Sequence, residues 1–266
     1  LSNASFEEAN VDTVNFTGAN ISGASFFKTG GFLASQLYST ASYQSKNLSG
    51  INLGFNDIRG WDFHGENLTN AKFESASLYD SSALKAADFR YADLRGANRL
   101  VELPDLTGTI SRDAIEPDGG IAGFELVNGE AMQIRNYLGN PNSSLGLIPI
   151  PISIQYHMSL APGGLLQMVL DAEQWNSTIS FQAGINVELD GDLGLVFADG
   201  TDVAGQVGRT FDLFDWTGVT PVGQFHVVSA YQWDLSNLYT TGEVTLTGVP
   251  EPSTLVMATL GMVATL

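Results

Sequence analysis

Apolar side chains recur at every fifth position over the first hundred residues. Phe6, Val11, Phe16, Ile21 and Phe26 form one run. Leu48, Leu53, Ile58, Phe63, Leu68, Phe73 and Leu78 form a second, and after one extra residue Leu84, Phe89 and Leu94 continue it. A small residue often stands two places before the large one, as at Ala4, Ala9, Ala19, Ala24, Ala87 and Ala92. A period of five matches neither the 3.6 of a helix nor the 2 of a strand. It predicts a solenoid in which each five-residue segment makes one side of a square coil. The large residue points to the axis, the small one tucks in beside it, and Asn20, Asp88 and Asp93 turn corners or face water. About sixteen segments give roughly four coils, a column on the order of 20 Å tall at the usual strand spacing.

Three departures interrupt this rhythm. Lys46, Asn56, Trp61 and Glu66 stand where a small residue belongs, so the coil around 46–68 is expected to widen or to shed these side chains outward. The six-residue step from Leu78 to Leu84 predicts a bulged corner. Between Phe27 and Gln44 the pattern lapses, and Leu33, Leu37 and Tyr38 take helical spacing among good helix formers. A short helix over about 33–42 is predicted there.

The second half alternates at period two. Residues 101–120 have the composition of a linker, with Pro104, Pro117, several Asp and paired Gly. Gly123–Gly129 and Ala131–Tyr137, joined at Asn128-Gly129, carry a hairpin signal. Ile148–Met158 contains Pro149 and Pro151, which suits an edge strand or entry loop. Further strands are predicted at Leu165–Leu170, Thr178–Phe181, Ile185–Leu189, Leu193–Phe197, Thr210–Trp216, Gln224–Val228 and Val244–Thr247. Short strands between Gly/Asp turns over 121–248 predict an all-β domain, either a sandwich or a solenoid-like coil. The solenoid-like form is favoured.

Charge separates the two halves. The chain carries a net −18 with no cysteine, so it has no disulfide, thiol chemistry or Cys-based metal site. Residues 1–100 hold eight basic and ten acidic side chains, residues 101–266 three basic and nineteen acidic ones. No lysine follows Lys85. That balance argues against nucleic acid as a partner, because phosphate contacts need clustered Lys and Arg. The 29 glycines suit turn-rich β architecture.

The alanine–Asx–large rhythm, clearest in Ala87-Asp88-Phe89-Arg90-Tyr91 and Ala92-Asp93-Leu94-Arg95-Gly96, resembles the pentapeptide-repeat family. The resemblance implies a right-handed quadrilateral β-helix with four repeats per coil over 1–100. The insertion Gln36–Gln44 looks like one found between coils in exported bacterial members. At the other end, Val249-Pro250-Glu251-Pro252-Ser253-Thr254 precedes an uncharged apolar run, Leu255–Leu266. Proline lacks an N–H and fixes φ, so the motif stops regular structure. It resembles the PEP-CTERM sorting tail, which implies export, processing by an exosortase and a transient membrane anchor at 249–266. Twelve apolar residues fall short of the roughly 20 that span a bilayer. With no initiator Met at Leu1, the chain is expected to be a fragment cut at both ends. Phe211–Gly218 with Leu238–Gly242 resembles the β-module that often precedes such tails, and Thr178–Phe197 resembles the stacked strands of autotransporter passenger domains.

No constellation in the sequence supplies an activity. Asp190-Gly191-Asp192 and Asp199-Gly200-Thr201-Asp202 offer oxygens to Ca²⁺, but lack the fixed ladder of an EF-hand. Turn formation by Asp-Gly is the favoured reading. His64, His157 and His226 stand far apart outside any metal-binding spacing. Glu7-Glu8 is expected to be a solvated edge, not an acid/base pair. Trp61, Trp175, Trp216 and Trp233 are candidates for stacking on sugar, with burial the favoured reading. Seven Asn-x-Ser/Thr sequons (Asn3, Asn15, Asn20, Asn47, Asn67, Asn142, Asn176) arise mainly from the repeat itself. The expectation is a non-enzymatic exported scaffold without cofactor or metal. Its partners would be the sorting machinery, the membrane transiently, and an extracellular polysaccharide. The alternatives are a DNA-mimic topoisomerase inhibitor, a role some pentapeptide proteins play, and a secreted carbohydrate-binding protein.

Overall fold

The computed structural model describes residues 1–78, 86–97, 109–137 and 149–250. Leu84, the corner between Leu78 and Leu84, residues 101–108 of the expected linker, Asn142, Glu251, Pro252 and the apolar run at 255–266 lie outside the described residues. The chain forms two compact units. One comprises Leu1–Ala122 with Leu138–Ile150, the other Gly123–Tyr137 with Pro151–Leu266. Both are mostly β, with parallel strands stacked in the manner of a β-helix.

In the first unit the five-residue step is closed by a tight turn. The carbonyl of most centres accepts the N–H three residues on, as in Ala19 N to Phe16 O at 2.9 Å and Ala76 N to Phe73 O at 2.9 Å. The residue two past the centre is left-handed, at Gly60 (φ +71), Lys28 (φ +51), Asn70 (φ +58) and Ser75 (φ +54) among others. Before each centre an Asn or Asp side chain often accepts the N–H two residues on, as at Asn15, Asn20, Asn47, Asn67 and Asp88. This Asx-turn explains why a short polar side chain precedes the large apolar one.

Successive coils then pair in parallel. Bridges link Ser5 to Ser25, Asn10 to Gly30, Asn47 to Asn67, Asn52 to Lys72 and Asp57 to Ser77. Each pair lies twenty residues, or four repeats, apart. The Ser25–Asn52 bridge spans 27 because of an insertion. Here two short helices replace the single one expected over 33–42: α1 (Ala34–Tyr38) and α2 (Ala41–Gln44). The break is at Thr40, whose extended backbone caps α2 and whose Oγ1 accepts the N–H of Tyr43 at 3.1 Å. The Asn67–Asp88 and Lys72–Asp93 bridges span 21 residues, one extra, as the step after Leu78 demands.

The expected linker needs correction. Ile110 and Ile115 bridge to Asp88 and Asp93, and the N–H groups of Phe89, Leu94 and Gly96 donate to Ile110, Ile115 and Pro117. Residues 109–117 therefore form two further sides of the column. The pattern hid them because Ser111 and Glu116 occupy the centres usually held by large apolar residues. A two-residue strand, β1 (Gly120–Ile121), follows.

The second unit is wound from longer segments. β2 (Phe124–Leu126) and β3 (Ala131–Arg135) are followed by β4 (Ile152–Ile154), β5 (His157–Leu160) and β6 (Leu165–Leu170). Then come β7 (Ile179–Phe181), β8 (Asn186–Leu189) and β9 (Asp192–Phe197). β2, β5 and β8 stack in parallel, as do β3, β6 and β9, and β7 lies beside β4. Inward residues form ladders such as Phe124–Met158–Val187 and Met132–Leu166–Leu193, all buried. The hairpin expected at Asn128-Gly129 is absent, since β2 and β3 each pair with the next coil. The Asn-Gly corner instead sends Gly129 N–H to Gly163 O at 3.0 Å. Of the edge strand or entry loop expected over Ile148–Met158, the edge strand is corrected, since β5 lies between β2 and β8, whereas both prolines precede β4 as an entry segment.

After β9 the chain splits its allegiance. β10 (Thr210–Asp212) leaves the stack, whereas β11 (Phe214–Asp215), β12 (Val222–Gly223) and β13 (His226–Val228) continue it on β7, β8 and β9. β14 (Gln232–Asp234) and β15 (Glu243–Gly248) form a small antiparallel sheet with β10, in the order β10-β15-β14. The single strand expected over Thr210–Trp216 is thus divided at Leu213.

Gly60 tests the left-handed corner alone, because a Cβ there would meet nothing within 4 Å. Gly60→Val is expected to lower stability by about 1–2 kcal/mol in urea unfolding, and Gly60→Asn by clearly less. Equal effects would show that the left-handed backbone is not the constraint.

Candidate functional site

The fourteen repeat centres line the inside of the first unit. Val11, Phe16, Ile21, Phe26, Leu48, Leu53, Ile58, Phe63, Leu68, Phe73, Leu78 and Phe89 are buried, and Phe6 and Leu94 are partly buried against them. These residues hold the fold, so any recognition by this unit falls to the corners. Asn15, Asn20, Asn47 and Asn67, all in sequons, have their Oδ1 engaged by the N–H two residues on. That engagement gives the repeat its own reason for asparagine at those positions.

The most developed polar cluster lies where the helical insertion rejoins the column. Lys46 Nζ donates to Glu66 Oε1 at 2.9 Å and to His64 O at 3.0 Å, and sits 4.9 Å from the Tyr43 ring centre. Tyr43 OH donates to Asp62 O at 3.0 Å, while Tyr38 OH accepts from Asp62 N at 2.6 Å. Of the two alternatives, a widened coil or side chains shed outward, the outward one is excluded for Glu66 and Trp61, which are both buried. Glu66 is fully buried, with its Oε2 unpartnered. Trp61 packs on Phe32 at 5.6 Å and Phe63 at 6.4 Å. Burial raises the Glu66 carboxyl above its ordinary range, against the pull of Lys46. Burial, then Asp62, does the same to the Tyr43 phenol.

A second device escaped the sequence reading. Arg59, Arg90 and Arg95 each grip the aspartate two residues earlier, Asp57, Asp88 and Asp93. The same aspartates accept the arginine N–H, so one side chain shapes the corner and pairs the charge. Burial opposes ionisation of Asp88, yet Arg90 holds its carboxyl below the ordinary value. The signal was present as Asp-x-Arg at repeat spacing.

The other candidates disperse. Glu7 accepts from Ser25 Oγ at 2.7 Å, whereas Glu8 pairs with Lys28 at 3.0 Å, so they serve different contacts. His64 is exposed in the first unit. His157 and His226 are exposed on different sheets of the second, with His226 Nδ1 2.9 Å from Asp192. Gly191 sits in a corner where a Cβ would approach the Ala161 and Gly164 carbonyls at 2.6 and 2.7 Å. Asp202 Oδ1 accepts from Gly205 N at 3.2 Å. Among the described residues no group of three His, Asp or Glu is placed to hold a metal ion. Trp175 and Trp216 are buried, and Trp216 stacks on Phe181 and Phe214. Trp233 is half-buried and donates to Ser229 Oγ at 2.9 Å. Pro250, the only described residue of the Pro-Glu-Pro motif, is half-buried.

A family model described as Pentapeptide repeats (8 copies) matches residues 1–29. No curated protein and no solved structure matches the chain. The pentapeptide match covers the first coil and the start of the next, and the same turn and bridge geometry continues to Pro117. What this geometry supplies chemically is a stiff column with polar corners.

Lys46 and Lys28 provide a matched comparison. Lys28→Met breaks an exposed pair and is expected to cost about 0–1 kcal/mol. Lys46→Met leaves the buried Glu66 without its donor, for an expected cost of about 1–3 kcal/mol at pH 7. Because burial raises Glu66, that cost shrinks as pH falls and the carboxyl takes a proton. Urea unfolding of both variants at two pH values checks the difference.

Proposed function

We propose that this protein is an exported, non-enzymatic scaffold of the bacterial cell surface or extracellular matrix. The observation that carries the reading is Pro250-Glu251-Pro252 followed by the uncharged run Leu255–Leu266. An exosortase-type enzyme would recognise the motif while the apolar segment holds the membrane transiently. The pentapeptide match and the stacked coils support a structural or interaction role, because a column held by its own backbone presents side chains at fixed spacing. The finer form proposed for the column is the right-handed, four-sided helix, supported by bridges twenty residues apart. An extracellular polysaccharide is the partner class that corner amides and hydroxyls suit.

The charge of the column favours this role over DNA mimicry. Residues 1–100 carry eight basic and ten acidic side chains, far from the dense negative surface of a duplex. The decisive experiment is the mass of the mature C-terminus in protein isolated from its own cells. Loss of everything after the Pro250–Pro252 region, with the remainder outside the cell, is the expected result. An intact tail on cytoplasmic protein, together with inhibition of gyrase supercoiling at micromolar concentration, would overturn the export reading.

A further inference from the structure

Glu74 is a buried carboxyl in the wall of the column. It is 7% exposed, and its Oε1 accepts no hydrogen bond. One coil on, the chain returns directly against it. Phe73 N–H donates to Asp93 O at 2.8 Å, and Ser75 N–H donates to Arg95 O at 2.9 Å. Arg95 is fully buried, and its Nε and Nη2 grip Asp93 at 3.0 and 2.6 Å. Lys72, bridged to Asp93, is half-buried beside them. On the other side Phe55 N–H donates to Glu74 O at 2.8 Å, and Leu53, Gly54 and Phe55 bring no charge. The Glu74 carboxyl lies within hydrogen-bonding reach of Asp93, buried where one guanidinium already serves Asp93. Two such groups do not both ionise at low cost.

We propose that Glu74 holds a proton against Asp93 between successive coils, and that this proton locks the column. In the locked state the protonated Glu74 donates to the Asp93 carboxylate, whose charge Arg95 balances. Loss of the proton to solvent leaves two carboxylates facing Arg95 and Lys72, and the two coils loosen. Burial raises Glu74 to about 8, with Asp93 adding to the shift and Arg95 and Lys72 opposing it. The ordinary value is 4.5, so the folded chain keeps a proton that the unfolded chain releases. Stability from this group is therefore full below about pH 4.5 and is lost as pH rises to about 8.

The test is urea unfolding of the whole chain from pH 5 to 9, for the native sequence and Glu74→Gln, with carboxyl ¹³C NMR on the native protein. Glutamine donates to Asp93 without titrating. The unfolding constant of the native protein, relative to the variant, is expected to rise about tenfold per pH unit between about pH 5 and 8. One glutamate carboxyl is expected to titrate near pH 8. Parallel pH profiles, or the Glu74 carboxyl titrating between about pH 4 and 5, would overturn the lock. Should the variant fail to fold, the NMR titration of the native protein decides alone.

Discussion

Everything in the first unit depends on turning a corner within five residues and returning in register with backbone laid down one coil earlier. The left-handed residue after each centre does the turning, and the Asn or Asp before it pins the turn. The hydrogen bonds between coils, such as Leu53 N to Lys72 O and Leu68 N to Asp88 O at 2.8 Å, reward every corner equally. A single side chain therefore has little freedom to change the path. Phe55, Asn70 and Ser75 accept positive φ although none is glycine, because the stacked neighbours over-determine the backbone.

That rigidity explains the polar interior. Where the repeat supplies Glu66 or Glu74 in place of a small or solvated residue, the coil keeps its register and the carboxyl is buried. Lys46 and Glu66 occupy equivalent places on adjacent coils, so a charge at one is answered at the other. The Asp-x-Arg clamps work within a single corner. Both devices use the repeat spacing to bring partners together; burial raises the Glu66 carboxyl, whereas Arg59 and Arg90 lower those of Asp57 and Asp88.

The second unit obeys the same rule with longer sides. Parallel stacking sets residue against equivalent residue, so Phe124, Met158 and Val187 form one interior ladder although more than sixty positions separate the ends. Stacking also decides what a turn does. Asn128-Gly129 has hairpin chemistry, yet Gly129 bonds to Gly163 in the next coil, and the two strands it joins face different neighbours.

The sequence by itself determined the five-residue rhythm, the residues at its centres, the interruption near 33–42 and the strand positions at Leu165–Leu170 and Leu193–Phe197. Each is written locally, in periodicity or turn chemistry. It also carried the Pro250-Glu251-Pro252 run, which is a matter of residue order. Only the tertiary structure decided the remainder. Ile110 and Ile115 join the column through backbone hydrogen bonds that leave no hydrophobic trace in the pattern. Alternation at period two is the same in a sandwich strand and a coil side, so it could not choose between them. Glu66 and Glu74 are buried because the neighbouring coils close over them, and burial is a property of what stacks above and below.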